Sequence, residues 1–120
     1  MKLNELIPRW NVTEMCGYIP QTTFWEDFSI ADRFGNNAIQ ETFGRAFREW
    51  KSHYEYLTEL VMVLNHKIWQ WYDTAQKDSK QREAAMSRAK LYNDLWEQAE
   101  QYAVTHLQGD ELSYFYNTTD

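Results

Sequence analysis

The chain has 120 residues, a length that suits one domain built around a single core. Its net charge of −6 disfavours general binding to nucleic acid, because an acidic surface repels the phosphate backbone. Aromatic residues make up 17% of the chain, and Trp and Tyr are residue types that protein interfaces favour.

Residues 1–21 lack a long period, but apolar residues recur through them, so we expect an N-terminal arm that packs on the body. No apolar signal region follows Met1. The longest apolar run, from Leu60 to Leu64, is short, whereas a membrane-spanning helix needs about 20 residues. Cys16 is the only cysteine, which agrees with a reducing compartment. We therefore expect a cytosolic protein with no membrane span and no internal disulfide.

The first predicted helix runs from about residue 23 to residue 34. Thr23 and Glu26 have the spacing of a capping box, and Gly35 stands where a helix would end. We expect one apolar stripe of this helix to face the core, formed by Phe24, Phe28, Ala31 and Phe34.

The second predicted helix begins at Asn36 or Asn37, since either residue is a good N-cap. Its apolar residues recur at the spacing of one helical face: Ile39, Phe43, Ala46, Phe47 and Trp50. Near residues 51–53 the chain either turns into a new helix or continues straight. Ser52 and Glu55 repeat the capping-box spacing and favour a break.

The third predicted helix, from about Tyr54 to Ala75, is apolar or aromatic on almost every side. A surface helix needs only one apolar stripe, whereas a helix that is apolar all round is buried on several faces. A chain of this length offers few other helices to cover it. The pattern therefore predicts a central helix, and also a dimer or larger assembly that buries aromatic side chains of the third or fourth helix.

The fourth predicted helix covers about residues 79–107, with Asp78 and Ser79 as its cap and Gly109 beyond its end. Small and large residues alternate along one face: Ala85, Ala89, Tyr92, Trp96, Ala99 and Ala103. The tail over residues 109–120 is too apolar for solvent and should fold back. These elements predict an all-α domain, a compact helical bundle of three long helices with a short N-terminal helix and an ordered C-terminal tail.

Nothing along the chain assembles a nucleophile, a base and an orienting group, so we do not expect an enzyme. Asp94, Glu97 and Glu100 share one helix face, and carboxylates of this kind bind hard cations. An exposed acidic stripe has the same pattern without a metal, and we favour that interpretation. No cofactor is expected.

Two groups of residues are candidates for binding. Arg45, Arg48 and Lys51 recur every three residues on the second helix and could meet a phosphate or a carboxylate. Ion pairs with Glu41 and Glu49 are the simpler explanation.

The second group is Trp69, Trp71 and Tyr72 on the third helix. Residues two apart on a helix point in different directions, so Trp69 and Trp71 cannot both face one core. At least one of them should meet another surface. Core packing remains the simpler explanation for each tryptophan taken alone.

The stretches AFREWKSHYEYLTELVMVLNHKIWQWY and LQGDELSYFYNTTD resemble an uncharacterised family of small helical proteins encoded by bacteriophages and mobile elements of gut bacteria. The resemblance runs from about Ile30 to the C-terminus, apart from a variable stretch near residues 75–90. It carries no catalytic motif. It implies a small accessory protein that binds a host component, such as a defence protein or its nucleotide signal.

We therefore expect a non-enzymatic protein that acts in the host bacterial cytosol by covering the surface of a host protein and inhibiting it. The net acidity suits a basic partner surface. The alternative is a sponge for a nucleotide messenger, in which bases stack on Trp or Tyr and Arg45, Arg48 or Lys51 holds phosphate.

Overall fold

The computed structural model describes residues 22–119. Its helices are α1 (Phe24–Phe34), α2 (Asn36–Trp50), α3 (Tyr54–Lys77), α4 (Arg82–His106) and α5 (Asp110–Thr119). These residues contain no strand and form a compact bundle, so the all-α prediction is confirmed. The predicted N-terminal arm and Cys16 lie outside the described residues. None of the described helices is long and apolar enough to cross a membrane.

Two features of the elements concern the break after Trp50 and the form of the C-terminal tail. The chain breaks between Trp50 and Tyr54, so residues 37–77 form two helices rather than one. The C-terminal tail is itself a helix, which the sequence pattern did not predict. It begins just after Gly109, whose φ of 58° is a left-handed conformation that favours glycine.

The predicted helix caps are wrong in their details. Thr23 is the N-cap residue of α1, as predicted, but its hydroxyl donates to the Asp27 carboxylate and makes no capping bond to the backbone. The residue that precedes α2 as its N-cap is Gly35 rather than an asparagine. Asp78 orders the turn before α4 by accepting hydrogen bonds from the backbone of Lys80 and the side chain of Gln81. The N-cap residues of α1, α2 and α4 make no side-chain hydrogen bond to the helix backbone.

α3 lies at the centre of the bundle, as its all-round apolar pattern predicts. α4 packs along it in the most extensive contact of the fold, while α1 and α5 cover other faces. The buried alanines of α4, such as Ala85 and Ala99, leave little bulk between the two helix backbones. Residues with no exposed surface on α3 include Leu57, Leu60, Val61 and Leu64.

The two short helices at the ends of the described chain are tied to α3 differently. Thr22, just before α1, donates hydrogen bonds from its backbone amide and its hydroxyl to the buried Glu59 carboxylate. α5 instead uses apolar packing, since Phe115 is 1% exposed and the Tyr114 ring lies edge-on to Tyr54 at 5.4 Å. The tail therefore folds back on the bundle, as expected from its composition.

The apolar stripe predicted for α1 is wrong at its last residue. Phe24, Phe28 and Ala31 are buried, but Phe34 is 78% exposed. Phe34 is the final residue of α1, and the chain turns at Gly35 directly into α2. The stripe therefore runs past the edge of the core and leaves its last ring in solvent.

Candidate functional site

Trp69 and Tyr72 form an exposed aromatic pair on α3. Trp69 is 49% exposed and Tyr72 is 40% exposed. Their ring centroids are 5.6 Å apart with an interplanar angle of 79°, an edge-to-face arrangement. They stand one turn apart, so each ring holds the other in place. The pair exposes two aromatic rings in a fixed arrangement on α3, the helix that the other helices cover most.

Trp71 points the other way, as expected for a residue two positions from Trp69. It is partly buried against the core, and the Arg88 guanidinium lies 4.8 Å from the centre of its ring. Its indole N–H is buried and has no hydrogen-bond partner among the described residues. Trp71 is therefore a packing residue under Arg88 rather than part of the exposed pair.

The three bases predicted as a site are all exposed; Arg45 and Arg48 lie on α2, and Lys51 directly follows its last residue. Within residues 22–119 none of them forms an ion pair, so the expected pairs with Glu41 and Glu49 are not formed. The Lys51 ammonium lies 5.9 Å from the centre of the Tyr102 ring, where Phe47 also packs edge-on at 5.3 Å. Arg45 alone of the three turns toward α1.

The basic and the aromatic groups lie at opposite ends of the bundle. Lys51 contacts Tyr102, whereas Trp71 contacts Arg88. These two contacts on α4 are 14 residues apart, which corresponds to about 21 Å along a helix. One small ligand therefore cannot touch both groups.

An open groove of about 340 Å³ lies where Arg45 faces α1. Trp50 and Tyr56 line it, with ring centroids 4.5 Å apart. Three threonines add hydroxyl groups, but the carboxylates of Asp27 and Glu49 also line the groove. Its remaining polar lining consists of Thr22, Thr23 and Thr42. The groove offers a stacking surface and a cation, together with acidic groups that repel an anion.

The chemistry that the sequence pattern missed is a buried ionic network centred on Asp32. Lys67, 1% exposed on α3, donates to the Asp32 carboxylate and to the Ser29 hydroxyl, each at 2.9 Å. Its ammonium also lies 4.2 Å from the centre of the Trp25 ring. Burial lowers the pKa of the Lys67 ammonium, while the negative charge of Asp32 opposes that shift.

α4 completes this network with two donors. The Tyr92 hydroxyl donates to Asp32 at 2.5 Å, and burial together with the Asp32 charge raises the pKa of that phenol. Arg88 donates to the backbone carbonyl of Asp32 at 3.1 Å and to the Asn36 side chain at 2.8 Å. The network therefore joins α1, the start of α2, α3 and α4 at one point.

The groups of this network are bonded to one another across the bundle. Each polar group in it already has a partner, and Lys67 is closed off from solvent. A nucleophile or base must instead reach a substrate. The only sequence signal was a lysine within a helix predicted to be buried on several faces. Asp32 lies 35 residues away, so no spacing links the two.

His66 is the neighbour of Lys67 on α3 and is also buried, at 5% exposure. Its ring lies 6.4 Å from that of Trp25 in an edge-to-face arrangement. Burial lowers the pKa of the His66 imidazole to about 4, so the ring is neutral at physiological pH. This histidine contributes packing, and its lowered pKa predicts that the fold loses stability in acid.

Within residues 22–119 no cluster of three or more histidine, cysteine or acidic side chains has the geometry to hold a metal ion. Comparison of the chain with protein-family models, with curated proteins and with solved structures gave no match. The resemblance to phage and mobile-element proteins therefore stays a prediction, and function must be inferred from the surfaces described above.

Proposed function

We propose that this chain is a non-enzymatic interaction protein of a phage or mobile element, which binds a host protein and inhibits it by covering its surface. The observation that carries the proposal is the exposed Trp69–Tyr72 pair. Binding energy at protein interfaces concentrates in a few residues, and Trp and Tyr are prominent among them.

The pair suits this role because its two side chains are already held in place before a partner binds. Both residues stand on α3, the best-covered helix of the bundle, and the two rings already pack on each other. A rigid anchor loses less side-chain entropy when it enters a partner's pocket than a mobile one does. About half of each side chain remains free to be buried there.

The charge of the chain supports a basic partner. A net charge of −6 would speed encounter with a positively charged surface, such as the nucleic-acid-binding face of a host defence protein. The rate of association should then fall as salt is added, while the aromatic anchors should govern the rate of dissociation. This combination fits a protein whose work is occupancy of another protein's surface in the host cytosol.

Affinity purification from host lysate with matched variants tests the proposal. A Trp69→Ala, Tyr72→Ala double variant should lose a host protein that the unaltered chain retains. Val104→Ala is the control, because Val104 is 43% exposed on α4 and stands outside the aromatic pair. Circular dichroism must show that all three proteins are folded. If the double variant retains every protein that the control retains, the proposed surface is wrong.

A nucleotide sponge is a second candidate, because Arg45 shares its groove with Trp50 and Tyr56. A base could stack on these rings while the guanidinium meets a phosphate. Calorimetry with a panel of cyclic and linear nucleotides checks this. Binding that Arg45→Ala removes and Arg48→Ala keeps would support the sponge, since Arg48 does not line the groove. No heat with any nucleotide would exclude the panel's members as ligands.

A further inference from the structure

α1 presents two large apolar side chains, Ile30 and Phe34, to solvent. Phe34 is 78% exposed and Ile30 is 52% exposed, the two highest values among the large hydrophobic residues of the described chain. Both line an open groove of about 290 Å³ between α1 and α2, together with Ala31 and Ala38. The rest of its lining is polar: Asp27, Glu41, Thr42 and Arg45. Exposed apolar side chains rimmed by polar groups, distinct from the Trp69–Tyr72 pair, are typical of an interaction site.

The charges beside this surface are arranged for pairing with a copy of itself. Glu26 in the first turn of α1 and Arg33 in the last turn are both exposed, and neither forms an ion pair within residues 22–119. Seven residues span nearly two helical turns, so the two side chains lie within about 20° of each other around the axis. Both stand on the same side of Ile30.

We infer that a second copy of this chain covers this surface, with the two α1 helices packed antiparallel about a two-fold axis at Ile30. Glu26 lies four residues, or about 6 Å, from that axis, and Arg33 of the second copy lies about 4.5 Å from it on the same side. Two Glu26–Arg33 pairs therefore form across the interface. The antiparallel helix dipoles add to the attraction.

The exposed Phe34 ring has a receiving site in this arrangement. Phe34 lies at one end of its own groove, and Asp27 and Arg45 line the other end. The two-fold axis brings each ring to that far end of the second copy's groove. The volume of about 290 Å³ is sufficient, since a cavity of about 150 Å³ holds benzene. The ring then meets the Arg45 guanidinium, a favourable contact for an aromatic face.

The size of the surface sets the strength of the dimer. α1 has 11 residues and is about 16 Å long, and α1 with α2 is about 20 Å wide. Such a face has a projected area of about 320 Å² per copy, which is smaller than the roughly 800 Å² per partner of a standard interface and is typical of a weak, transient association. The dimer should therefore dissociate at micromolar concentration, and measurements must cover about 1 µM to about 100 µM.

Sedimentation velocity on the full chain tests the inference with two single charge reversals. Glu26→Arg and Arg33→Glu should each be mainly monomeric, because like charges then face each other twice. An equimolar mixture of the two variants should form a heterodimer, since every pair across the axis becomes complementary again. Phe34→Ser should raise the dissociation constant at least tenfold, whereas Val104→Ser, on another exposed apolar residue, should leave it unchanged.

Three outcomes would overturn the inference. One is a monomer at every concentration for the unaltered chain. Another is a dimer that Phe34→Ser and the charge reversals leave intact, above all one that Trp69→Ala dissolves, because this would place the interface on α3. The third is failure of the mixed charge variants to associate while each remains folded by circular dichroism.

Discussion

At the scale of single residues, Lys67 shows how the bundle keeps a positive charge on the buried side of α3. Its ammonium is 1% exposed and is held by Asp32 and Ser29. Burial of an unpaired charge is costly, and these partners offset that cost. The sequence pattern predicts that α3 is buried on several faces, but it cannot name a partner that lies on another helix.

Replacement of this lysine should be strongly destabilising. Lys67→Met leaves the Asp32 carboxylate, 11% exposed, without its closest cation, and the free energy of unfolding should fall by about 3 kcal/mol. Lys77→Met is the matched control, because the Lys77–Asp73 pair is exposed and such pairs are worth about 0–1 kcal/mol. Urea unfolding measures both. Equal effects of the two variants would show that the buried pair contributes no more to the free energy of unfolding than the exposed pair does.

His66 predicts the response of the fold to acid. The pKa of its imidazole is about 4 in the folded chain, against about 6.5 when unfolded. Above pH 6.5 both states are neutral and the stabilisation is fully present. As the pH falls from about 6.5 to about 4, only the unfolded chain takes up the proton, so stability decreases by about 3 kcal/mol in total.

Urea midpoints measured at several pH values between 7.5 and 4 check this dependence. His66→Leu removes the buried imidazole, so its stability should fall much less over the same range. His53→Leu alters an exposed histidine, so its urea midpoint should change with pH as steeply as that of the unaltered chain. A His66→Leu slope as steep as that of the unaltered chain would assign the acid sensitivity to other groups.

At the scale of the elements, α1 to α4 follow from local signals, whereas α5 does not. Ile39, Phe43 and Ala46 recur at helical spacing and are buried, so periodicity predicts α2 and its inward face. α5 has only 10 residues and one buried residue, Phe115. A pattern that short cannot distinguish a helix from an ordered tail. Its helical form depends on packing against α3.

The buried ring of α5 should account for its attachment. Phe115→Ala should lower the free energy of unfolding by about 3 kcal/mol through lost transfer energy and a cavity, because this side chain is 1% exposed. Tyr116→Ala, at a residue that is 44% exposed, should have a small effect. Thermal melts of the two variants make the comparison. Deletion of residues 112–120 should also lower the melting temperature. An unchanged melt for Phe115→Ala would mean that α5 is not held by its ring.

At the scale of the whole molecule, the sequence predicts which face of each helix is buried. It does not predict which parts of different helices lie next to each other. The opposite directions of Trp69 and Trp71 follow from helix geometry alone, and the structure agrees. The separation of Lys51 from the tryptophans depends on how α2 lies along α4, which no local pattern determines. The exposure of Phe34 likewise depends on where the core ends.

The two proposed surfaces combine into one arrangement. Pairing through α1 would leave the Trp69–Tyr72 pair on α3 free, so a dimer would carry two copies of the aromatic surface. Two linked surfaces can hold a multimeric target more tightly than either one alone, because the second contact forms at a high effective concentration. The proposed function therefore depends most on whether Trp69 contacts another protein.

Site-specific photocrosslinking in living host cells measures this contact most directly. A photoreactive phenylalanine analogue is placed at position 69, and in a separate control at position 104, which is 43% exposed on α4. We predict that irradiation of the analogue at position 69 joins the chain to one defined host protein. Irradiation of the analogue at position 104 should not join the chain to that protein. Crosslinks to that protein from position 104 alone, or none from position 69 in a folded and expressed chain, would contradict this prediction.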